Sequence, residues 1–157
     1  MNRILTSIIT IAFATLFLTG AALAGSDMKG HDMSSSDKIG TLFHESTVDG
    51  YMLSYYLLDL RDPKGDAKDA AHAKKDMDKP HHIMVYIMDK THAPVLEGKV
   101  GFVIKDDQGN PQKTMAMFMS KGFGITADMK KKGIYTITAK AILGDVKLMD
   151  SFTHEMK

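Results

Sequence analysis

From Ile39 to the end of the chain, apolar residues recur at every second position in short runs separated by turn residues. A period of two is typical of β-strands that bury one face. Seven or eight such runs follow one another at spacings near ten residues, and almost none shows the longer period of a helix. The pattern predicts an all-β fold, an antiparallel immunoglobulin-like β-sandwich over residues 39–157.

Individual segments indicate where strands and turns should lie. Asp49-Gly50 and Gly144-Asp145 are typical of short hairpin turns, and they separate residues 39–47 from 51–60 and 133–143 from 146–156. Both faces of 51–60 are apolar, which predicts a central strand. Tyr135 follows Gly133 at a strand start, as in the tyrosine corner of Greek-key sandwiches. Further strands are predicted at 81–89, 98–105, 113–121 and 123–129.

Three other segments depart from the strand pattern. Residues 1–24 combine Arg3, an apolar run and a final Ala-Leu-Ala, which predicts a cleaved signal peptide and a periplasmic or secreted protein without a membrane span. Residues 25–38 are small and polar and are predicted to be a disordered tail. Residues 61–80 hold six Lys or Arg and five Asp, so a charged surface insertion with a short exposed helix is expected there.

Amino-acid composition limits which ligands and partners the chain can be expected to bind. Without residues 1–24 the Lys and Arg count falls from 20 to 19, against 19 Asp and Glu. A net charge near zero offers no electrostatic reason to bind nucleic acid or a charged membrane surface. The chain has no Cys but has 7 His and 13 Met, so soft metals would be bound by imidazole and thioether. Thioether sulfur favours Cu(I), and imidazole suits both oxidation states of copper.

Two stretches concentrate these side chains. In residues 81–89, His82 and Met84 share one predicted strand face, whereas His81 lies on the other with the β-branched residues. In residues 113–121, three methionines alternate, so a continuous strand would point all three the same way. The candidate copper ligands are His81, His82, Met84, Met115, Met117 and Met119. The alternative is that these methionines fill the core, where their flexibility suits irregular gaps.

The segments that partly match catalytic motifs lack residues or structural context that those motifs require. His44-Glu45-Ser46 could begin a zincin motif or a nucleophilic triad, but Val48 stands where the zincin needs its second His. Residues 122–127 match the letters of a dinucleotide fingerprint without the surrounding strand and helix. No phosphate loop or paired catalytic carboxylates can be assembled, and we expect no enzyme.

Residues 81–156 resemble the YtkA-like and FixH-like periplasmic domains. The shared features are a strand that opens with His, a Val-x-Phe-x-Ile strand before Asp106, the Met-rich strand and the segment 131–140, KKGIYTITAK. The resemblance implies an immunoglobulin-like sandwich, copper handling or oxidase assembly, and a metal role for the Met-rich segment. Where Met-Gly-His often follows in the family, this chain has Lys121-Gly122-Phe123-Gly124, so His81 or His82 would supply the imidazole.

These observations favour an exported β-sandwich protein that binds copper through Met and His and acts as a carrier or buffer. The alternative function is a metal-free interaction module that docks on an envelope or membrane partner. In that case the methionines would form the core or a pliable contact surface.

Overall fold

The computed structural model describes residues 38–61 and 78–157. The predicted signal peptide, the polar tail up to residue 37 and the charged insertion from 62 to 77 lie outside the described residues. Within the described ranges the backbone forms strands, turns and bends, and no helix in them is long and apolar enough to cross a membrane.

Nine strands form two antiparallel sheets that pack face to face, which confirms the predicted β-sandwich. The five-stranded sheet has the order β1-β2-β3-β7-β6, and the four-stranded sheet has the order β5-β4-β8-β9. The strands are β1 Thr41–Val48, β2 Tyr51–Asp59, β3 His81–Met88, β4 Lys99–Lys105, β5 Pro111–Met115, β6 Met117–Met119, β7 Gly122–Ala127, β8 Gly133–Leu143 and β9 Val146–Met156.

Both predicted hairpins are present. Asp49 and Gly50 have positive φ values of 51° and 81°, the left-handed conformation that a type I′ turn requires at both central positions. The turn joins β1 to β2, and Gly144, with φ of 62°, begins the turn from β8 to β9. β2 pairs with β1 on one side and β3 on the other, so the prediction of a central strand is confirmed.

The core lies between the sheets, where alternate residues of the facing strands meet. β4 contributes Val100, Phe102 and Ile104, as its in/out pattern predicted. β3 contributes His81, Ile83, Val85 and Ile87 from the opposite sheet. Burying one large aliphatic or aromatic side chain contributes about 1.5–3 kcal/mol, so these rows account for much of the stability of a chain that has no cysteine.

The predicted strand over 113–121 is interrupted at Ala116. Its N–H donates to the carbonyl oxygen of Val100 at 2.8 Å, where the chain crosses from the four-stranded to the five-stranded sheet. β5 before the crossing pairs with β4, and β6 after it pairs with β7. The expectation that Met115, Met117 and Met119 share one strand face is therefore wrong, because a strand that changes sheets at a sandwich corner re-aims the side chains that follow.

The predicted tyrosine corner is also present. The Tyr135 hydroxyl donates to the carbonyl oxygen of Lys131 at 3.0 Å, and its ring is buried at the start of β8. The bond ties the β7–β8 loop to the strand that follows.

Replacing Tyr135 with Phe should lower the free energy of unfolding by about 1 kcal/mol, because the ring stays packed while the Lys131 carbonyl loses its donor. Urea denaturation measures the change. Tyr51→Phe is the matched control, since the Tyr51 hydroxyl makes no hydrogen bond with the described residues and its removal should change stability by less than about 0.5 kcal/mol. Equal losses in both variants would contradict a structural role for the Tyr135 hydroxyl.

Candidate metal centre

The outer face of the five-stranded sheet brings two separate Met-bearing strands together across glycine. Gly124 on β7 pairs with Met84 on β3 and with Met117 on β6. Directly paired residues project on the same face of a sheet. Met84 and Met117 therefore lie on one face, on opposite sides of a position that has no side chain of its own.

The space above Gly124 is occupied by an imidazole and a thioether. A Cβ atom at this position would lie 2.6 Å from Met84 Sδ and 3.0 Å from His82 Nε2. Because both distances refer to one point, the sulfur and the nitrogen are no farther apart than the sum of the two. Two ligand types that copper favours therefore converge here. We call His82, Met84, Met117, Met119 and Gly124 the Gly124 site.

His82 is in a suitable state to bind a metal ion. Its side chain is half-buried, and burial lowers the pKa of its imidazole below the ordinary value. The neutral ring that results offers an unprotonated nitrogen. His82 makes no hydrogen bond with the described residues, so no protein donor in this part of the chain competes for that nitrogen.

The other two methionines of the site differ in exposure. Met117 is 69% exposed at the mouth of the site. Met119 is half-buried and packs with Ile39 against a small cluster formed by Met84, Tyr56 and Tyr86. Tyr86 fills the space beside Gly122, where a Cβ would lie 2.9 Å from its ring. The floor of the site is consequently buried and contains aromatic rings. The Met84 side chain is fully buried there, whereas the Met117 side chain is accessible to solvent.

Met115 does not join this group. It is 64% exposed on the outer face of the four-stranded sheet, where its sulfur lies 3.1 Å from the position of a Cβ at Gly101. The two sheets, and the core between them, separate Met115 from the Gly124 site.

His81 also lies apart from it, on the inner face of β3. Its Nδ1 accepts a hydrogen bond from the Met129 N–H at 3.2 Å, and its Nε2 lies 3.8 Å from an Asp59 carboxylate oxygen and 3.4 Å from Arg61 Nη2. Burial lowers the pKa of His81, and Asp59 opposes that shift. These contacts assign His81 to holding the chain after β7 against the start of β3.

Elsewhere in the described ranges, no three His, Cys, Asp or Glu side chains are grouped closely enough to hold a metal ion. The Gly124 site differs from such a group in combining one imidazole with methionines, and its candidate ligands are His82, Met84 and Met117. One sequence feature points to this arrangement, although the alternation of hydrophobic and polar residues does not reveal it. Alternate glycines inside a strand, Gly122 and Gly124, often mark a place where other groups approach the backbone closely.

A second polar cluster forms between β1 and β9. Ser46 Oγ donates to Asp150 Oδ2 at 2.5 Å, and His44 Nε2 lies 3.7 Å from the same oxygen. The nearby Tyr55 hydroxyl is buried and has no hydrogen-bond partner among the described residues, and burial, followed by the Asp150 charge, raises the pKa of Tyr55. Because the serine is bonded to the carboxylate and not to the imidazole, the cluster lacks the nucleophile–base contact of a triad.

No family model and no curated protein sequence matches the chain. Solved structures share its fold. FetP of uropathogenic Escherichia coli strain F11, as isolated, aligns with a TM-score of 0.53 at 13% identity over 76% of this chain and 96% of that chain. A copper-bound FetP variant gives 0.51 at 16% identity, over 76% and 97%. A DUF4426 family protein from Pseudomonas aeruginosa PAO1 gives 0.54 at 17% identity, over 72% and 93%.

At these identities the likeness shows the fold alone. It agrees with the sandwich that the resemblance to YtkA-like and FixH-like domains implied, while membership of that family stays a prediction.

Gly124→Ala should destabilise the protein by about 1–3 kcal/mol, the usual cost of forcing extra volume into a packed site, because the new methyl would displace Met84 and His82. Urea denaturation measures this loss. Gly101→Ala is the matched control. Its one tight contact would be with the exposed, flexible end of Met115, and the Thr114 carbonyl oxygen would lie at an ordinary 3.9 Å, so stability should change by less than about 0.5 kcal/mol. Equal effects at both glycines would contradict close packing at the Gly124 site.

Acidification should weaken the fold through His81. Its pKa is lower in the folded chain than in the unfolded chain, so the unfolded chain binds the proton first as pH falls. Its contribution is fully present above the ordinary histidine pKa of about 6.5 and declines below it. Urea denaturation from pH ~7.5 to ~5 tests this. His81→Asn keeps an acceptor for the Met129 N–H and should make stability less dependent on pH. The smaller pH dependence that remains would come from His82 and His154, whose pKa values are also lowered by burial. An unchanged pH dependence in His81→Asn would contradict the assignment.

Proposed function

We propose that this is an exported binding protein, not an enzyme, that holds copper as Cu(I) at the Gly124 site and serves as a copper carrier or buffer. The observation that carries the proposal is the convergence of His82 Nε2 and Met84 Sδ over Gly124, with Met117 paired to Gly124 from the strand on the other side. This set supplies one imidazole and two thioethers from two strands, β3 and β6, that flank β7.

The character of the ligands favours Cu(I) over harder ions. Thioether sulfur is a soft ligand, whereas Mg²⁺ and Ca²⁺ take oxygen and Zn²⁺ takes thiolate, imidazole or carboxylate. The surroundings act in the same direction. Tyr56, Tyr86 and Met119 make the floor of the site apolar, and a poorly solvated site disfavours a doubly charged ion more than a singly charged one.

The difference in exposure between the two sulfurs suits a carrier or buffer. Met84 is held in the floor of the site, while Met117 stands at the surface on the short edge strand β6. Methionine has three rotatable side-chain bonds, so Met117 can swing aside and open the site without backbone motion. Metal could then enter or leave from the solvent side.

Two further observations support the exported setting and the choice of metal. The first 24 residues have the composition of a signal peptide. FetP, which has the same fold, was expressed in the periplasm, and a FetP variant was obtained with copper bound. We infer a periplasmic or secreted location for this chain as well.

Cu(I) affinity, measured by competition with a chromogenic Cu(I) chelator, tests the proposal. Met117→Leu and His82→Asn should each weaken binding at least about tenfold, the effect already produced by losing an outer-shell partner of a metal ligand. Leucine replaces methionine at similar volume and should cost less than about 1.5 kcal/mol of stability, so a folding defect would not account for the loss.

Met115→Leu is the matched control, because it alters the same run of the sequence on the other sheet and should leave Cu(I) affinity unchanged. Equal effects of Met115→Leu and Met117→Leu would contradict the Gly124 site. Absence of Cu(I) binding in the wild type would favour the metal-free interaction module, with Met117 and the exposed Phe118 as contact residues.

A further inference from the structure

The outer face of the four-stranded sheet carries a concentration of positive charge that the net charge of the chain does not reveal. Five lysines project from this face, with at least one on each strand. They are Lys113 on β5, Lys99 and Lys105 on β4, Lys140 on β8 and Lys147 on β9. Glu155 on β9 is the only acidic residue that alternates onto the same face. We call this surface the lysine face.

The register shows that these side chains share one side of the sheet. Val103 pairs with Lys113 on one side and Thr138 on the other, while Gly101 pairs with Lys140. The intervening positions, such as Phe102 and Ile104, point into the core. All five lysines are exposed, and none forms an ion pair with another described residue.

The remaining charges are arranged so that they do not cancel this field locally. Acidic residues of the described ranges lie mainly in loops at the two ends of the sandwich, including Asp89 and Asp145 at one end and Asp106 and Asp128 at the other. The strands of the five-stranded sheet present Glu45 as their one charged residue on the outer face that carries the Gly124 site. Lys38, whose ammonium lies over tyrosine rings of that face, offsets Glu45. The two broad faces therefore differ in how much positive charge they carry.

Apolar side chains stand among the lysines. Met115 and Met149 occupy the two edges of the row that contains Gly101 and Lys140, and both are strongly exposed. Ile142 lies between Lys99 and Lys147 in the next row. A four-stranded face of this length measures about 14 by 20 Å, so most of these charges lie within about one or two Debye lengths of one another at physiological salt.

We propose that the lysine face docks the protein on an anionic phospholipid surface, with Met115, Met149 and Ile142 entering the headgroup region. Charge complementarity carries the choice of partner. Each lysine near an anionic bilayer lowers the binding free energy enough to raise partitioning about fivefold, and five act from one face of the sheet. The docked molecule would leave the Gly124 site, on the opposite sheet, facing water.

The chemistry of the cations favours a lipid surface over a specific acidic protein. All five are lysines, which act as mobile point charges, and the face contains no arginine, whose planar fork suits bidentate recognition of fixed carboxylates or phosphates. Lysine stems can also lie along apolar surface while their ammonium groups remain at headgroup level. The exposed methionines and isoleucine add the shallow apolar contact that electrostatic attraction alone lacks.

Vesicle co-sedimentation of the purified, processed protein tests the proposal. Vesicles containing phosphatidylglycerol should bind the protein, and pure phosphatidylcholine vesicles should not. Raising NaCl from about 0.1 M to about 1 M, which shortens the Debye length from about 10 Å to about 3 Å, should release most of it. The double variant Lys113→Glu/Lys140→Glu should lower partitioning at least about 25-fold, with circular dichroism confirming an intact fold.

Lys79→Glu/Lys90→Glu is the matched control, because it makes the same charge change at exposed residues flanking β3 in the other sheet and should bind vesicles nearly as well as the wild type. Met117→Leu should also bind normally, which separates docking from copper binding. Equal binding to both vesicle types, equal losses in both lysine pairs, competition by free glycerol phosphate, or binding only to polyglutamate or duplex DNA would each overturn the proposal.

Discussion

β3 is buried on both of its faces, and much of the molecule is arranged around that constraint. Its inner residues, Ile83, Val85 and Ile87, form one wall of the core. Its outer residues, Met84 and Tyr86, are equally inaccessible to water, although they point away from the opposite sheet. An antiparallel sheet commonly leaves one face to solvent, so these two side chains need a cover that the opposite sheet does not provide.

The neighbouring strands supply that cover. Tyr56 on β2 and Met119 on β6 pack against Met84 and Tyr86, with Ile39 completing the cluster. The Tyr86 hydroxyl accepts a hydrogen bond from the Ile39 N–H at 2.9 Å, which fixes the chain entering β1. β7 accommodates the two large side chains by having glycine at 122 and 124. The same packing places His82 near the buried Met84 sulfur, with Met117 paired across Gly124 on the same face. A stability requirement and the candidate copper site therefore share their residues.

Much of the fold could be predicted from local pattern. Turn chemistry at Asp49-Gly50 and Gly144-Asp145 specified two hairpins, because left-handed positions admit few residue types. Strict alternation in β4 assigned its core face, since a register slip of one residue would expose Val100 and Phe102. The crossing at Ala116 could not be predicted in this way, because alternation continues through it and only pairing with different partners divides the run.

The candidate site, like the fold, could be predicted from the sequence only in part. The sequence placed His82 and Met84 on one face of a strand and identified Met and His as the available soft-metal ligands of a cysteine-free chain. It could not separate Met115 from Met117, or assign His81 to the loop after β7, because those outcomes depend on which strand lies beside which. Nor could composition show that lysines collect on one sheet, since net charge sums over surfaces that face opposite directions.

The sequence by itself determined the strands, their turns and the supply of ligands, because these depend on side-chain period and local backbone preference. Tertiary structure decided which ligands meet. β3 and β6 are far apart from each other in the chain, yet they lie on either side of β7 in the sheet. The two glycines of β7 left room for an imidazole and a thioether to approach. Strand order and close packing are properties of the assembled sheets, and so is the position of Met117 opposite Met84.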